Sequence, residues 1–246
     1  MNKGLNIDIQ VHEIVNKFHK QFSENMNLIN KQIEPIRRNF NEAISKIDFD
    51  QIKSLPKRRK EHLLKLGEDG WCIDLNMSVE KSLIENEDYE EYFINHFENN
   101  IDNISSFIKN KYPARKQIIH KAFKAHVNED YELSIPVILT QIDGICFDNT
   151  NESIFIKHNY SPNTSSYVEN LPNELRKAWF APLAEELPIS YSSKKRSNAQ
   201  IDFTLQLNRH LVLHGESTDY PTRINSLKAI SFLNYIAQLF ELEKKK

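Results

Sequence analysis

The chain has 246 residues and a mass of 28.9 kDa, 39% of them hydrophobic and 27% charged, which is room for one large domain or two small ones around a hydrophobic core. Lys and Arg number 32 against 34 Asp and Glu, so the formal charge of −2 excludes a surface coated in positive charge but not a local basic patch. Two cysteines, Cys72 and Cys146, exclude a disulfide framework and a cysteine-based zinc site, while 5 Gly and 9 Pro supply too few turns for a sandwich, barrel or Rossmann unit. The expected class is all-α.

The amino-terminal stretch MNKGLNIDIQVHEIVNKF has no apolar core followed by a cleavage site, and the longest apolar runs fall far short of the roughly 20 residues that cross a bilayer. A cytoplasmic protein without a membrane segment is expected. Ile9, Val11, Ile14, Val15, Phe18, Phe22, Met26 and Ile29 recur in steps of three and four, predicting an amphipathic helix over 8–30 that Pro35 ends. A second helix is expected over about 37–54, then a basic break at Leu55-Pro56-Lys57-Arg58-Arg59-Lys60 and another short helix. Gly67 and Gly70 beside Trp71 read as a turn carrying an exposable aromatic.

Tyr89, Tyr92, Phe93, Phe97, Ile101, Ile104, Phe107 and Ile108 predict one long helix over 79–111, closed by Pro113. Two further helices, over 115–128 and from 129 to about 145, suggest an αα-hairpin, with Pro136 tolerated near the first turns of the second. The Asn-, Ser- and Pro-rich stretch 149–172 reads as a long loop and 173–186 as a short helix. Residues 188–198 read as a flexible connector with three adjacent cations, and 199–214 with about 220–243 as a final helical pair.

The segment Asn208-Arg209-His210-Leu211-Val212-Leu213-His214-Gly215 concentrates the chemistry. A guanidinium can grip phosphoryl oxygens and stabilise a pentacoordinate transition state, while an imidazole near neutrality can move the proton of a ribose 2′-hydroxyl. Arg-x4-His spacing occurs twice, but Arg115 and His120 read as a solvated face, whereas Gly215 stops the helix directly after His214. Asp143, an acid in an otherwise apolar helix, needs a partner if buried, and Arg209 is the candidate. Gln141 reads as surface, and His126 and Tyr131 as packing or capping groups. His210 and His214 are also four apart on one face, a spacing that can hold zinc, but Leu211 stands where metalloprotease helices carry Glu, so no metal or other cofactor is expected.

Arg209, the polar His210 and His214 resemble the motif of the HEPN superfamily, compact α-helical domains whose ribonuclease members bear an Arg, a polar residue and a His four to six positions beyond the Arg. The resemblance extends through NRHLVLHGESTDYPTRINSLKAISFLNYI and YPARKQIIHKAFKAHVNEDYELSIPVILTQIDGI, and weakly upstream through GEDGWCIDLNMS. It implies a HEPN-type bundle over 113–246 preceded by a regulatory or partner-binding helical region over 1–112. It further implies a metal-independent endoribonuclease, a toxin or anti-phage effector, that leaves a 2′,3′-cyclic phosphate at a composite site between two chains and is held in check by a partner protein. In that reading His214 is the general acid or base, Arg209 the transition-state clamp, and His210 or Asn208 the polar neighbour. The alternative is a module that binds a nucleotide or a partner protein without turnover. Lys194, Lys195 and Arg196 are the candidate RNA contacts, with Lys57–Lys60 as a second basic run and Tyr191 and Trp71 available for base stacking.

Overall fold

The computed structural model describes residues 2–77, 89–158, 161–199 and 206–244, and it is overwhelmingly helical, with a single two-residue-per-strand hairpin among them. The all-α class holds. The chain divides into two compact units, Met1–Lys53 and Ser54–Lys246.

The first unit is dominated by α1 (Asn2–Ser45), a 44-residue helix that runs straight through Pro35 instead of stopping there. Proline forfeits one backbone hydrogen bond, but Pro35 lies on an exposed face, where water can satisfy the freed carbonyl. After the helix ends, the Asp48 carboxylate accepts from the amides of Asp50 and Gln51 at 3.1 and 3.0 Å and so starts α2 (Phe49–Glu68).

The predicted basic break at 55–60 is interior to α2, and Pro56 does not interrupt it. Tertiary contacts hold these residues in helix: the Arg59 guanidinium lies 4.4 Å over the Trp179 ring, and Lys60 pairs with Glu185 at 2.7 Å. Gly67 packs so closely on Leu187 that a Cβ would come within 2.8 Å of its side chain. Gly70 turns the chain at φ +82 and delivers Trp71 into the core. Trp71 is therefore no stacking platform for bases; it is 1% exposed and packs on Phe93 and Phe97 with ring centroids 5.5 and 6.1 Å away.

The long helix expected over 79–111 is two, α3 (Glu90–Asn99) and α4 (Ile101–Lys111), while 78–88 lie outside the described residues. Asn100 breaks the run, its side-chain amide donating to the His96 carbonyl at 2.8 Å in place of a helical continuation. A 3₁₀ turn at Pro113–Arg115 leads into α5 (Lys116–Val127), which pairs with α6 (Tyr131–Thr150) as the expected hairpin, its turn containing Glu129 at φ 64. α6 passes through Pro136 and ends at the left-handed Asn151.

The predicted loop over 149–172 contains β1 (Lys157–His158), paired antiparallel with β2 (Ser161–Pro162), and α7 (Ser165–Glu169). α8 (Glu174–Trp179), α9 (Ala181–Ala184) and a 3₁₀ turn at Pro188–Ser190 follow. The predicted connector is α10 (Ser193–Asn198), capped by Ser192. Residues 200–205 lie outside the described set; α11 (Arg209–Leu213) and α12 (Arg223–Lys244) complete the chain. α12 threads the core and packs chiefly on α6, with α3 and α4 also against it. Residues 54–112, expected upstream of the bundle, therefore supply part of α12's packing surface. Among the described residues no helix is long and apolar enough to cross a membrane.

Candidate functional site

The Arg209–His214 motif does not end a long helix, as the sequence suggested, but occupies all of the five-residue α11 and its carboxyl cap. Asn208 makes this short helix possible. It adopts extended backbone and is 1% exposed; its Oδ1 accepts from the amides of His210 and Leu211 at 3.0 and 3.2 Å, and its Nδ2 donates to the carbonyls of Pro188 and Tyr191 at 2.7 and 3.1 Å. Arg196 adds a clamp, donating to Asn208 Oδ1 at 3.2 Å and to the Tyr191 carbonyl at 3.1 Å while pairing with Glu216 at 3.0 Å. Asn208 thus positions the motif from beneath through backbone groups, which leaves His210 as the polar neighbour beside Arg209. At the other end Gly215, at φ +70, lets the amides of Glu216 and Ser217 turn back onto the Leu211 carbonyl.

One turn of helix brings the two imidazoles together: the His210 and His214 rings stack with centroids 5.6 Å apart and planes 13° from parallel. His214 is exposed and His210 half-buried. Burial pushes the His210 pKa below the usual imidazole range, and the charges of Arg209, Lys157, His214 and Arg196 push it the same way. The Arg209 guanidinium lies 5.7 Å over the Phe155 ring, and its Nε is buried without a hydrogen-bond partner.

Asp143 does not pair with Arg209. Its Oδ1 accepts from Ser153 Oγ at 2.5 Å and from the amides of Ile154 at 3.0 Å and Phe155 at 3.5 Å, because the chain leaving α6 folds back over the carboxylate and satisfies it first. Asp143 reaches Arg209 only through the segment that holds Phe155. No family model, no curated protein and no solved structure matches this chain. Its site is read from its own geometry.

Of the candidate RNA contacts, Lys194 is exposed, but Lys195 pairs with Glu186 at 2.7 Å and lies 4.2 Å over the Tyr191 ring, and Arg196 serves α11 as described. Lys157 also pairs with Glu186. Burial alone would raise the Glu186 pKa, yet the two ammonium groups outweigh it and hold the carboxyl below its usual range. Sequence spacing gave no sign of Lys157, Phe155 or Glu186, which stand far from the motif along the chain.

The second Arg-x4-His pair is separated by the fold. Arg115 donates to Asp148 at 2.9 and 2.8 Å and to Gln141 at 3.1 Å, lying across Gly144, where a Cβ would meet the guanidinium at 2.5 Å; His120 is exposed. Arg115 is an internal brace rather than a solvated cation, and Gln141, read as surface, is buried under it. His126 is a packing group, as expected, with Nδ1 2.8 Å from Ser226 Oγ and its ring 5.7 Å from that of Tyr131. Among the described residues no three His, Cys, Asp or Glu side chains gather as a metal-binding group, so the His210–His214 pair has no third ligand in place.

Proposed function

We propose that the α11 cluster is the catalytic centre of a metal-independent endoribonuclease of HEPN type, acting as a toxin or anti-phage effector under the control of a partner protein. The stacked His210–His214 pair beside Arg209 is the observation that carries this reading. Two imidazoles in unequal environments are what transesterification of RNA requires, since one must accept a proton while the other donates one.

His210, held neutral by burial and neighbouring cations, takes the proton of the ribose 2′-hydroxyl. The 2′-oxygen attacks phosphorus, and the bond to the 5′-oxygen breaks. The exposed His214 gives a proton to that leaving oxygen, so the products are a 2′,3′-cyclic phosphate and a free 5′-hydroxyl. The Arg209 guanidinium stabilises the added charge on the non-bridging oxygens. In an ideal helix residues five apart differ by roughly 140° and 7.5 Å along the axis, so the reading places Arg209 of a second copy opposite His214 in a composite site.

Full-length protein incubated with labelled single-stranded RNA in excess chelator is the test. Cleavage to cyclic-phosphate ends is expected, with Arg209→Ala, His210→Ala and His214→Ala each slowing it about a hundredfold or more. Because the His210 pKa lies below the ordinary imidazole range, kcat/KM should stay on its plateau below pH ~6.5 before the acid limb begins. RNA binding without cleavage would overturn the nuclease reading in favour of a non-catalytic nucleotide- or partner-binding module. Activity lost in chelator and restored by a divalent metal would overturn it in favour of a two-histidine metal site.

A further inference from the structure

α1 carries an apolar stripe with nothing upon it. Val15, Phe18, Phe22, Met26, Ile29, Ile33, Ile36, Phe40 and Ile44 step by three and four residues, and at 100° per residue all nine fall within an 80° sector of the helix. The average step is about 3.6, so the stripe runs along the axis without winding. Yet Phe18 is 67%, Ile36 68% and Phe40 63% exposed, and of the nine only Ile44 is even half-buried. A continuous apolar face of this size on a soluble helix marks an interaction surface.

We propose that this face pairs with the same face of a second copy of the chain, antiparallel, about a two-fold axis passing level with residue 31. Three observations select that occupant. First, from Phe18 to Ile44 the spacing is symmetric about its midpoint: reversing the helix sets Phe18 against Ile44, Phe22 against Phe40, Met26 against Ile36 and Ile29 against Ile33, so these eight residues all meet an apolar partner, and only Val15 stands beyond the paired stretch. A parallel pairing would stack Phe18, Phe22 and Phe40 each on itself and set the helix dipoles side by side in the same direction, whereas the antiparallel pair aligns them favourably.

Second, charge is kept out of the seam. Lys17, Lys20, Glu24, Lys31, Arg38 and Glu42 project from the opposite side of the helix, while Gln21, Ser23, Asn25, Asn30, Gln32, Asn39 and Asn41 flank the stripe together with one charge, Arg37. In the antiparallel register Arg37 meets the neutral Asn25 of the second copy and the two Arg37 residues stand 12 residues, about 18 Å, apart along the axis, so the two helices approach without close like-charge repulsion. Third, the exposed apolar area of the stripe amounts to roughly 800 Å² per helix, the contribution of each partner to an interface of standard size. This inference rests on α1 and not on the chemistry at α11: a dimer that does not cleave RNA leaves it standing, whereas a monomeric chain overturns it and also removes the second copy that the composite site needs.

Sedimentation or light scattering of the full chain at tens of micromolar should give twice the 28.9 kDa monomer mass. The double variant Phe22→Glu/Phe40→Glu should give the monomer, with the helical circular dichroism and melting of the second unit unchanged. Register is tested by disulfide cross-linking, since the native Cys72 and Cys146 are buried and do not compete. Phe22→Cys mixed with Phe40→Cys should form a heterodimer, whereas Phe22→Cys alone should not cross-link, its two copies standing 18 residues or about 27 Å apart along the axis. A chain that stays monomeric overturns the proposal and leaves the face to a different partner. A dimer indifferent to the glutamates, or efficient cross-linking of Phe22→Cys to itself, also overturns it.

Discussion

Two long helices of this chain meet opposite fates. In α12 every residue from Asn225 to Phe240 is buried, whereas in α1 every residue from Val15 to Ser45 is exposed except the half-buried Ile44. The sharper apolar stripe belongs to the exposed helix. α12 interleaves its apolar residues with Ser226, Ser231, Asn234 and Gln238, and its burial is possible because particular segments answer most of these groups. Ser226 Oγ lies 2.8 Å from His126 Nδ1, Ser231 Oγ accepts from the Cys72 amide at 3.2 Å, and Gln238 bridges the Leu75 amide and the Asp74 carboxylate at 2.8 and 2.7 Å. Amphipathicity shows that a helix has a face to hide, whereas all-round burial demands a partner for each polar group.

The contrast is broken or upheld most directly by truncating one large side chain in each helix. Leu233→Ala, at a site 1% exposed, should cost about 2–5 kcal/mol, while Phe40→Ala should leave the second unit within about 0.5 kcal/mol of the unmodified protein. Both tryptophans, Trp71 and Trp179, lie in the second unit, so urea denaturation followed by their fluorescence reads that unit specifically. Equal losses would show that α1 is folded into the same cooperative core.

The next largest effect concerns the carboxylate that anchors α12. Asp74 Oδ1 accepts from Gln238 Nε2 at 2.7 Å and from the backbone and side-chain amides of Asn76 at 2.9 and 3.1 Å, and Oδ2 lies 3.1 Å from His96 Nε2. Burial alone would raise its pKa, but these hydrogen bonds outweigh it and hold it below the usual carboxylate range. Asp74→Ala should cost about 2–4 kcal/mol, because it strands the buried Gln238 amide and removes the partner of the half-buried His96. With the folded pKa depressed, the stabilisation is present above the unfolded pKa of about 3.9 and is lost as pH falls through the folded value, so an acid limb below pH ~4 should shrink in this variant.

The same contrast explains what the sequence made legible. Helical class, the α5–α6 hairpin, the extent of α12 and the turn at Gly70 follow from local periodicity and punctuation. Pro35 and Pro56 misled as helix ends because one lies where water serves the freed carbonyl and the other where Arg59 and Lys60 tie the helix to Trp179 and Glu185. At the candidate site, the motif of Arg209, His210 and His214 was readable, but the shell that shapes it was not. Phe155 and Lys157 come from a segment whose composition promised only loop, Glu186 comes from the end of a stretch read as a short helix, and Asn208 and Asp143 were visible as polar residues but not as the backbone anchors they are. Their roles depend on which amides the fold brings to them.

A smaller effect tests the polar partners from the other side of the α12 contact. Burial lowers the pKa of His126, more than the raising influence of the Glu98 charge restores, and Arg223 lowers it further. The unfolded chain therefore takes up a proton near pH 6.5 that the folded protein resists, so this histidine makes stability fall as pH drops below that value. Thermal melts between pH 7.5 and 5.5 should show the decline, and His126→Gln, which keeps a polar group beside Ser226 without titrating, should flatten it in part. An unchanged slope would mean that His126 protonates equally in both states.

The smallest effect has the opposite sign and concerns the one member of the α12 polar series that lacks an answer. Asn234 is 1% exposed, and neither its Oδ1 nor its Nδ2 has a hydrogen-bond partner. An amide desolvated without compensation is unfavourable, and leucine has nearly its shape without that penalty, so Asn234→Leu should raise stability by up to about 1 kcal/mol. A gain would mark Asn234 as a true exception to the rule that α12 is buried because its polar groups are satisfied. A loss of 1 kcal/mol or more would mean that the amide is hydrogen-bonded in solution, through a buried water, and that the rule holds along the whole helix.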